Sequence, residues 1–168
     1  GVQIPTWDAR VFDLDKAATS KVYCDEVVGI CAQHGVTITE LSCHLQSQLV
    51  AVHPAYDTAF DAFAPRHLHK KPAERQAWAV DQVTKVAKAS QNFGLKGAVG
   101  FTGSLAFPYL YPWPQRPAGL INEAFGELAR RWKPILDIFD ESGVDFGFEI
   151  HPGEDVFDGT TFERFLDA

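Results

Sequence analysis

The feature that most constrains the fold is a regular alternation between short strand-like runs and longer helix-like segments. Four runs, at 2–4, 37–45, 98–102 and 145–151, are rich in apolar and β-branched residues and are predicted to be strands. A helical pattern follows each of them. Strict β-α alternation predicts a parallel sheet joined by right-handed crossovers. Two α/β architectures satisfy this pattern, a doubly wound open sheet and a (β/α)₈ barrel.

The segments between the strands carry apolar residues three or four positions apart, which is typical of a helix with one buried face. The first would bury a stripe of four residues: Cys24, Val27, Val28 and Cys31. Asp15 or Thr19 is predicted to cap it. A second helix is predicted over 72–93, and a third up to Gly143, with a kink or break at Pro134. The last would begin near Thr160 or Thr161.

Two connections are long. The segment 46–72 is predicted to be a loop, and loops of this length tend to be functional or mobile. The segment 105–119 is rich in proline and aromatic residues, among them Trp113. Such a stretch is either a rigid packing loop or an aromatic rim suited to stacking on a sugar.

Polar side chains gather at the ends of two predicted strands. Glu149 and His151 share one face of the fourth strand, and Ser42 and His44 share one face of the second. Active sites of parallel α/β proteins lie at the carboxyl ends of the strands, so Glu149, His151 and His44 are the best chemical constellation in the chain. The alternatives are a carboxylate at a solvated rim and histidines with a structural role.

Charge and composition exclude several classes of function. The chain has 15 Lys and Arg against 22 Asp and Glu, a net charge of −7, which disfavours nucleic-acid binding. It shows no signal segment and no apolar run long enough to cross a membrane. No G-x-G-x-x-G or phosphate-binding loop motif is present. Three cysteines without a C-x-x-C motif favour reduced thiols and a cytoplasmic location.

Four stretches resemble the sugar phosphate isomerase/epimerase family, whose members have a xylose isomerase-like TIM barrel: GVQIPTWD, ITELSCHLQSQLVAVHPAYD, FPYLYPWPQRPAG and FEIHPGED. The resemblance implies a divalent metal (Mn²⁺, Mg²⁺, Co²⁺ or Zn²⁺) held by a Glu, an Asp, a His and a second Glu. Glu149 matches the first ligand, which in related epimerases is also an acid/base carboxylate. His151 and Glu154 match positions where relatives contact substrate hydroxyls. His44 looks like a residue of the barrel mouth, and Trp113 is expected to close over the apolar side of a sugar or sugar phosphate substrate.

The resemblance also implies that residues 1–168 form a single incomplete barrel domain of about four βα units, from the second strand to the fifth. The absence of Met and a strand at residue 1 agree with a fragment. The other three metal ligands would then lie beyond Ala168. We expect such a piece by itself to be inactive, and unstable or homo-oligomeric, because it leaves open sheet edges.

Three other functions are compatible with the same barrel. A lyase that dehydrates a keto-inositol is also metal-dependent, and only its product separates it from an isomerase. A phosphodiesterase of the apurinic-site endonuclease type would carry more histidines at strand ends, and the third strand supplies none. A non-catalytic sugar-binding module would lack the later metal ligands.

Overall fold

The computed structural model of the protein describes residues 1–106 and 118–168. Four parallel strands form one sheet in the order in which they occur in the chain. They are β1 (Val2–Pro5), β2 (Ile38–Ser42), β3 (Gly97–Gly100) and β4 (Asp145–Phe148). A doubly wound sheet reverses its strand order at a switch point, and this sheet does not. The α/β prediction is therefore confirmed, and the topology is that of part of a (β/α)₈ barrel.

Seven α-helices lie in the described part of the chain. They are α1 (Leu14–Thr19), α2 (Lys21–Gln33), α3 (His44–Ser47), α4 (Asp57–Phe60), α5 (Pro72–Phe93), α6 (Leu120–Ser142) and α7 (Gly159–Asp167). Helix α5 has the predicted bounds. The predicted break at Pro134 is wrong, since α6 continues on both sides of this residue.

The first predicted helix is two helices, and its predicted caps are wrong. The Asp13 side chain accepts a hydrogen bond from Lys16 N at the start of α1, and the Ser20 side chain accepts one from Tyr23 N at the start of α2. Ser20 has an extended backbone, which interrupts the helix. The residue is both the C-cap of α1 and the N-cap of α2. Of the predicted stripe, Cys24 is buried but Val28 is exposed.

The hydrophobic core lies between the sheet and the helices. Phe146 and Phe148 of β4 pack against Trp132 of α6, which is fully buried. The Trp132 indole N–H donates to the Thr102 carbonyl, 2.8 Å away, and so connects α6 to the end of β3. Because strand side chains alternate, Gly147 lies on the opposite face of β4. This second face is more open to solvent.

The segment predicted as a long loop, 46–72, is mostly folded into α4 and short 3₁₀ turns. Arg75 of α5 is almost completely buried and holds this segment in place. Its guanidinium donates to Asp57 and Asp61 carboxylate oxygens at 2.6 and 2.7 Å. A buried cation needs such partners. The loop prediction is wrong because the Arg75 charge on the following helix orders the segment 46–72.

Candidate functional site at the carboxyl ends of the strands

Strands β2 and β4 end earlier than predicted. β2 ends at Ser42 and β4 at Phe148, so His44, Glu149 and His151 lie just past the strands. The Glu149 N–H still donates to the Gly100 carbonyl of β3 at 3.0 Å, which fixes the backbone at this point. His44 is the first residue of α3. The polar groups therefore stand at the carboxyl edge of the sheet, where parallel α/β proteins place their sites.

The side chains of His44 and Glu149 meet across this edge. His44 Nε2 lies 2.9 Å from Glu149 Oε2. The Nε2 atom is buried but makes no hydrogen bond within the described residues, so the carboxylate is close to it without being in line. The Glu149 side chain is 51% exposed and that of His44 only 11%. The structure thus sets a half-exposed carboxylate against a shielded imidazole.

Aromatic rings surround the two histidines. Phe101, which follows β3, stacks edge-on against His44 with the ring centres 4.5 Å apart, and its ring centre lies 4.7 Å from that of His151. Trp7, after β1, approaches His44 edge-on at 6.5 Å. His151 is itself exposed. Rings on this side of the sheet give the carboxyl edge an apolar wall beside an accessible carboxylate and imidazole.

Glu154 and Asp155 form a second acidic group, which we name the acidic clamp. Both are buried. Glu154 Oε2 accepts from Gly103 N at 2.6 Å, and the Asp155 carboxylate accepts from Leu105 N and Ala106 N at 2.7 and 2.9 Å. These bonds join the loop after β4 to the loop after β3. The clamp fixes two neighbouring loops of the carboxyl edge.

The clamp makes Glu154 unusual among the carboxyl groups. The pKa of Glu154 is raised to about 7, mainly by burial. The hydrogen bond from Gly103 acts in the opposite direction, and the neighbouring Asp155 charge adds to the rise. Gly103 has φ +85°, and a Cβ there would lie 2.4 Å from the Ala51 carbonyl oxygen, so only glycine fits. Glu154, which is predicted to contact substrate, therefore has one carboxylate oxygen hydrogen-bonded to the backbone of Gly103.

The residues present fit a metal only in part. Glu149 is an accessible carboxylate at the expected edge, and His44 beside it has an unbonded buried nitrogen. Within residues 1–106 and 118–168, however, no three His, Cys, Asp or Glu side chains converge as a metal site requires. These residues offer one carboxylate ligand and no complete coordination sphere. Trp113 lies outside the described residues.

The parallel order of the strands and the polar carboxyl edge define a class of protein, the βα-repeat proteins built as barrels. Within that class, a family model for xylose isomerase-like TIM barrel proteins matches residues 1–168, so the chain belongs to this family. The family includes sugar isomerases, sugar epimerases and related enzymes. A search of curated proteins found no match. No helix in the described residues is long and apolar enough to span a membrane.

Two residues of this edge were not among the candidates. Phe101 is the last residue but one of the predicted third strand, and its position opposite the core face of that strand was the available signal. Asp155 follows Glu154 directly, but its partners lie about 50 residues earlier in the chain. No local pattern reveals a contact over that distance.

Proposed function

We propose that the protein is a metal-dependent isomerase or epimerase of a sugar or sugar phosphate, with Glu149 as a metal ligand and as an acid/base group. The proposal rests on one observation, the half-exposed Glu149 carboxylate at the carboxyl edge of the sheet. Membership of a family that contains sugar isomerases and epimerases supports it. The three free cysteines are consistent with the cytoplasmic location proposed with it.

The two oxygens of Glu149 have different surroundings. Oε2 faces His44 Nε2, and the Glu149 side chain makes no other ion pair or hydrogen bond among the described residues. The carboxylate therefore keeps lone pairs available for a cation and for a substrate proton. A bound divalent cation (Mn²⁺, Mg²⁺, Co²⁺ or Zn²⁺) would supply positive charge to polarise the carbonyl and hydroxyl oxygens of the sugar.

The chemistry assigned to Glu149 is a proton transfer next to a carbonyl. Its carboxylate takes the proton from the carbon, the electron pair of the C–H bond forms the C=C bond of an enediolate, and the π pair of the carbonyl moves onto its oxygen. Return of the proton to the neighbouring carbon, with transfer of the hydroxyl proton to the former carbonyl oxygen, re-forms the carbonyl one carbon along and gives isomerisation. Return to the opposite face of the same carbon gives epimerisation and requires a second acid on the other side.

The remaining site residues are proposed to position the substrate. His151 is exposed, and its ring packs on Phe101, so it is accessible to a sugar hydroxyl. His44 is shielded and acts through Glu149. Glu154 retains its proposed contact only through the oxygen that Gly103 does not occupy. Trp113 is proposed to stack on the apolar side of the sugar. Association of identical copies belongs to the same proposal.

The test is the turnover of sugars and sugar phosphates by the full-length protein carrying Glu149→Gln. The change keeps the shape but removes the charge and the basicity. We expect turnover to fall by about 100-fold or more, the usual contribution of a positioned acid/base group. Glu26→Gln, at an exposed position of α2, is the control and should leave turnover unchanged.

Three results would overturn the proposal or change it. Turnover of Glu149→Gln near that of the wild type would exclude Glu149 as the reacting carboxylate. A dehydrated product would assign the protein to the lyases of this barrel. Sugar binding by the wild type without any turnover would assign a non-catalytic binding function.

A further inference from the structure

The proposed function does not use a cavity that is lined by the loop after β1, by α1, α3 and α5, and by the segment 62–65. Its volume of about 610 Å³ is within the range of roughly 300 to 1,000 Å³ that is usual for small-molecule sites. No Lys, Arg or His lines it among the described residues. We name it the tryptophan cavity, because much of its wall consists of aromatic rings, those of Trp7, Phe12, Phe63 and Trp78. This composition favours an uncharged ligand with an apolar face and gives a phosphate group no cationic partner.

The buried Arg75 holds the outer wall of the tryptophan cavity in place. Its guanidinium donates to the Asp57 carbonyl at 2.6 Å as well as to the Asp57 and Asp61 carboxylates. These bonds fix the start of the segment that carries residues 62–65, and Trp78 lies on the same helix as Arg75. The cavity is therefore part of the ordered fold.

One buried polar side chain of the tryptophan cavity lacks a full set of partners. Gln46 of α3 lines the cavity and is only 1% exposed. The Thr6 hydroxyl lies 2.8 Å from Gln46 Oε1 and fixes that end of the amide. The amide nitrogen makes no hydrogen bond among the described residues, and neither does the indole N–H of Trp78. Burying an amide without a partner costs free energy, and a ligand hydroxyl, which both donates and accepts, would satisfy it.

The two acidic residues that line the tryptophan cavity already have cationic partners. Asp13 Oδ2 lies 3.3 Å from Lys16 Nζ, and Asp15 Oδ1 lies 2.8 Å from Lys85 Nζ. Aromatic rings bind a cation most strongly where carboxylates beside them add uncompensated negative charge. Because each carboxylate is paired with a lysine, the cavity favours a neutral ligand over a cation.

We propose that the tryptophan cavity binds an uncharged sugar ring. The apolar face of the ring packs on the aromatic side chains, and its hydroxyls bond to the Gln46 amide. The cavity adjoins the carboxyl edge, because Trp7 approaches the His44 ring edge-on at 6.5 Å. A sugar that reacts at Glu149 would then carry a second ring, as in a disaccharide or glycoside. This consequence rests on the proposed function, whereas binding in the cavity does not.

Binding is measured by NMR on the indole N–H signals of the metal-free, ¹⁵N-tryptophan-labelled full-length protein. The probes are methyl glucoside and trehalose, which are uncharged and have no free carbonyl, so that no proton transfer can occur. We expect a saturable shift of the Trp78 signal, which Trp78→Phe identifies by its loss. The indole N–H of Trp132 donates to the Thr102 carbonyl inside the core, so its signal should not move and is the internal control.

Two substitutions remove different parts of the tryptophan cavity. Gln46→Met keeps the length of the side chain but removes the amide. Phe63→Ala removes a ring that is 40% exposed, so its effect on folding should be small. We expect each to weaken sugar binding by about 3- to 10-fold, the usual contribution of one hydrogen bond or one aromatic contact. Gln91→Met, at an exposed position near the end of α5, is the matched control and should leave binding unchanged.

Three results would overturn the inference. The first is a Trp78 signal that neither sugar shifts. The second is unchanged sugar binding in both Gln46→Met and Phe63→Ala. The third is tighter binding at Trp78 of glucose 6-phosphate or of tetramethylammonium, which would make the cavity an anion or a cation site.

The same measurements separate this inference from the proposed function. If the sugars shift Trp78 but the protein turns over no sugar, the cavity stands as a sugar site and the proposed function fails. If the protein isomerises sugars but Trp78 does not respond to either probe, the proposed function stands and the inference about the tryptophan cavity fails.

Discussion

Two acidic groups at the carboxyl edge of the sheet differ in their burial and in the kind of partner that they have. Glu149 is 51% exposed and meets one side chain, that of His44. In the acidic clamp, Glu154 and Asp155 are buried and accept hydrogen bonds from backbone N–H groups of the neighbouring loop. A half-exposed carboxylate is open to a ligand from solvent, whereas the buried carboxylates of the clamp accept from loop backbone and stabilise the fold. The same residue types are therefore open to solvent in one place and built into the loop structure in the other.

The largest effect should come from removing a buried carboxylate of the clamp. Asp155→Ala leaves the buried backbone N–H of Ala106 and the partly buried N–H of Leu105 without their acceptor. We expect the free energy of unfolding to fall by roughly 3 to 5 kcal/mol, since each unsatisfied buried donor costs about 1 to 3 kcal/mol. Urea unfolding of the full-length protein measures it.

The control for this change is Glu149→Ala, which should alter the free energy of unfolding by less than about 0.5 kcal/mol, as is usual for an exposed position. Equal destabilisation by Asp155→Ala and Glu149→Ala would show that the buried carboxylate does not stabilise the fold more than the exposed one. Asp140→Ala, at an exposed position near the end of α6, gives the baseline for loss of a surface carboxylate.

A smaller effect should distinguish the two members of the clamp by pH. The pKa of Glu154 is raised from its ordinary value of 4.5 to about 7. The folded state therefore binds this proton more tightly than the unfolded state does. The stability contributed by the protonated group is complete below about pH 4.5 and is lost as the pH rises through 7.

Glu154→Gln keeps an acceptor for Gly103 but cannot ionise. Above pH 7 we expect the variant to be more stable than the wild type, by at most roughly 3 kcal/mol, from the energy of a pKa shift of this size. Below pH 4.5 the difference should become small. Urea midpoints at a series of pH values give the difference curve, with the exposed Glu163→Gln as the control. Parallel curves for wild type and Glu154→Gln would show that Glu154 does not titrate in this range.

Much of this arrangement follows from local sequence patterns. The alternation of elements predicted the parallel sheet, and apolar periodicity with Gly94 as its stop predicted α5. The ends of β2 and β4 placed Glu149 and His44 at one edge, because parallel strands share the direction of their carboxyl ends.

The parts that failed depend on contacts between distant residues. Arg75 orders the segment before it through carboxylates 14 and 18 positions away. The clamp joins loops about 50 positions apart. The local sequence pattern around a charged residue shows neither that the residue is buried nor which residue pairs with it. Which acidic residues are exposed and which are buried could therefore be seen only in the folded structure.

Glu149 is the one carboxylate of this edge that we propose to be available to a cation. Equilibrium titration of the metal-free full-length protein with Mn²⁺ tests this claim without reference to any substrate. We predict that Glu149→Gln weakens binding by about 100-fold, since loss of a ligand should cost at least as much as loss of an outer partner, and that Glu26→Gln has no effect. If Glu149→Gln binds Mn²⁺ as tightly as the wild type does, Glu149 is not a metal ligand.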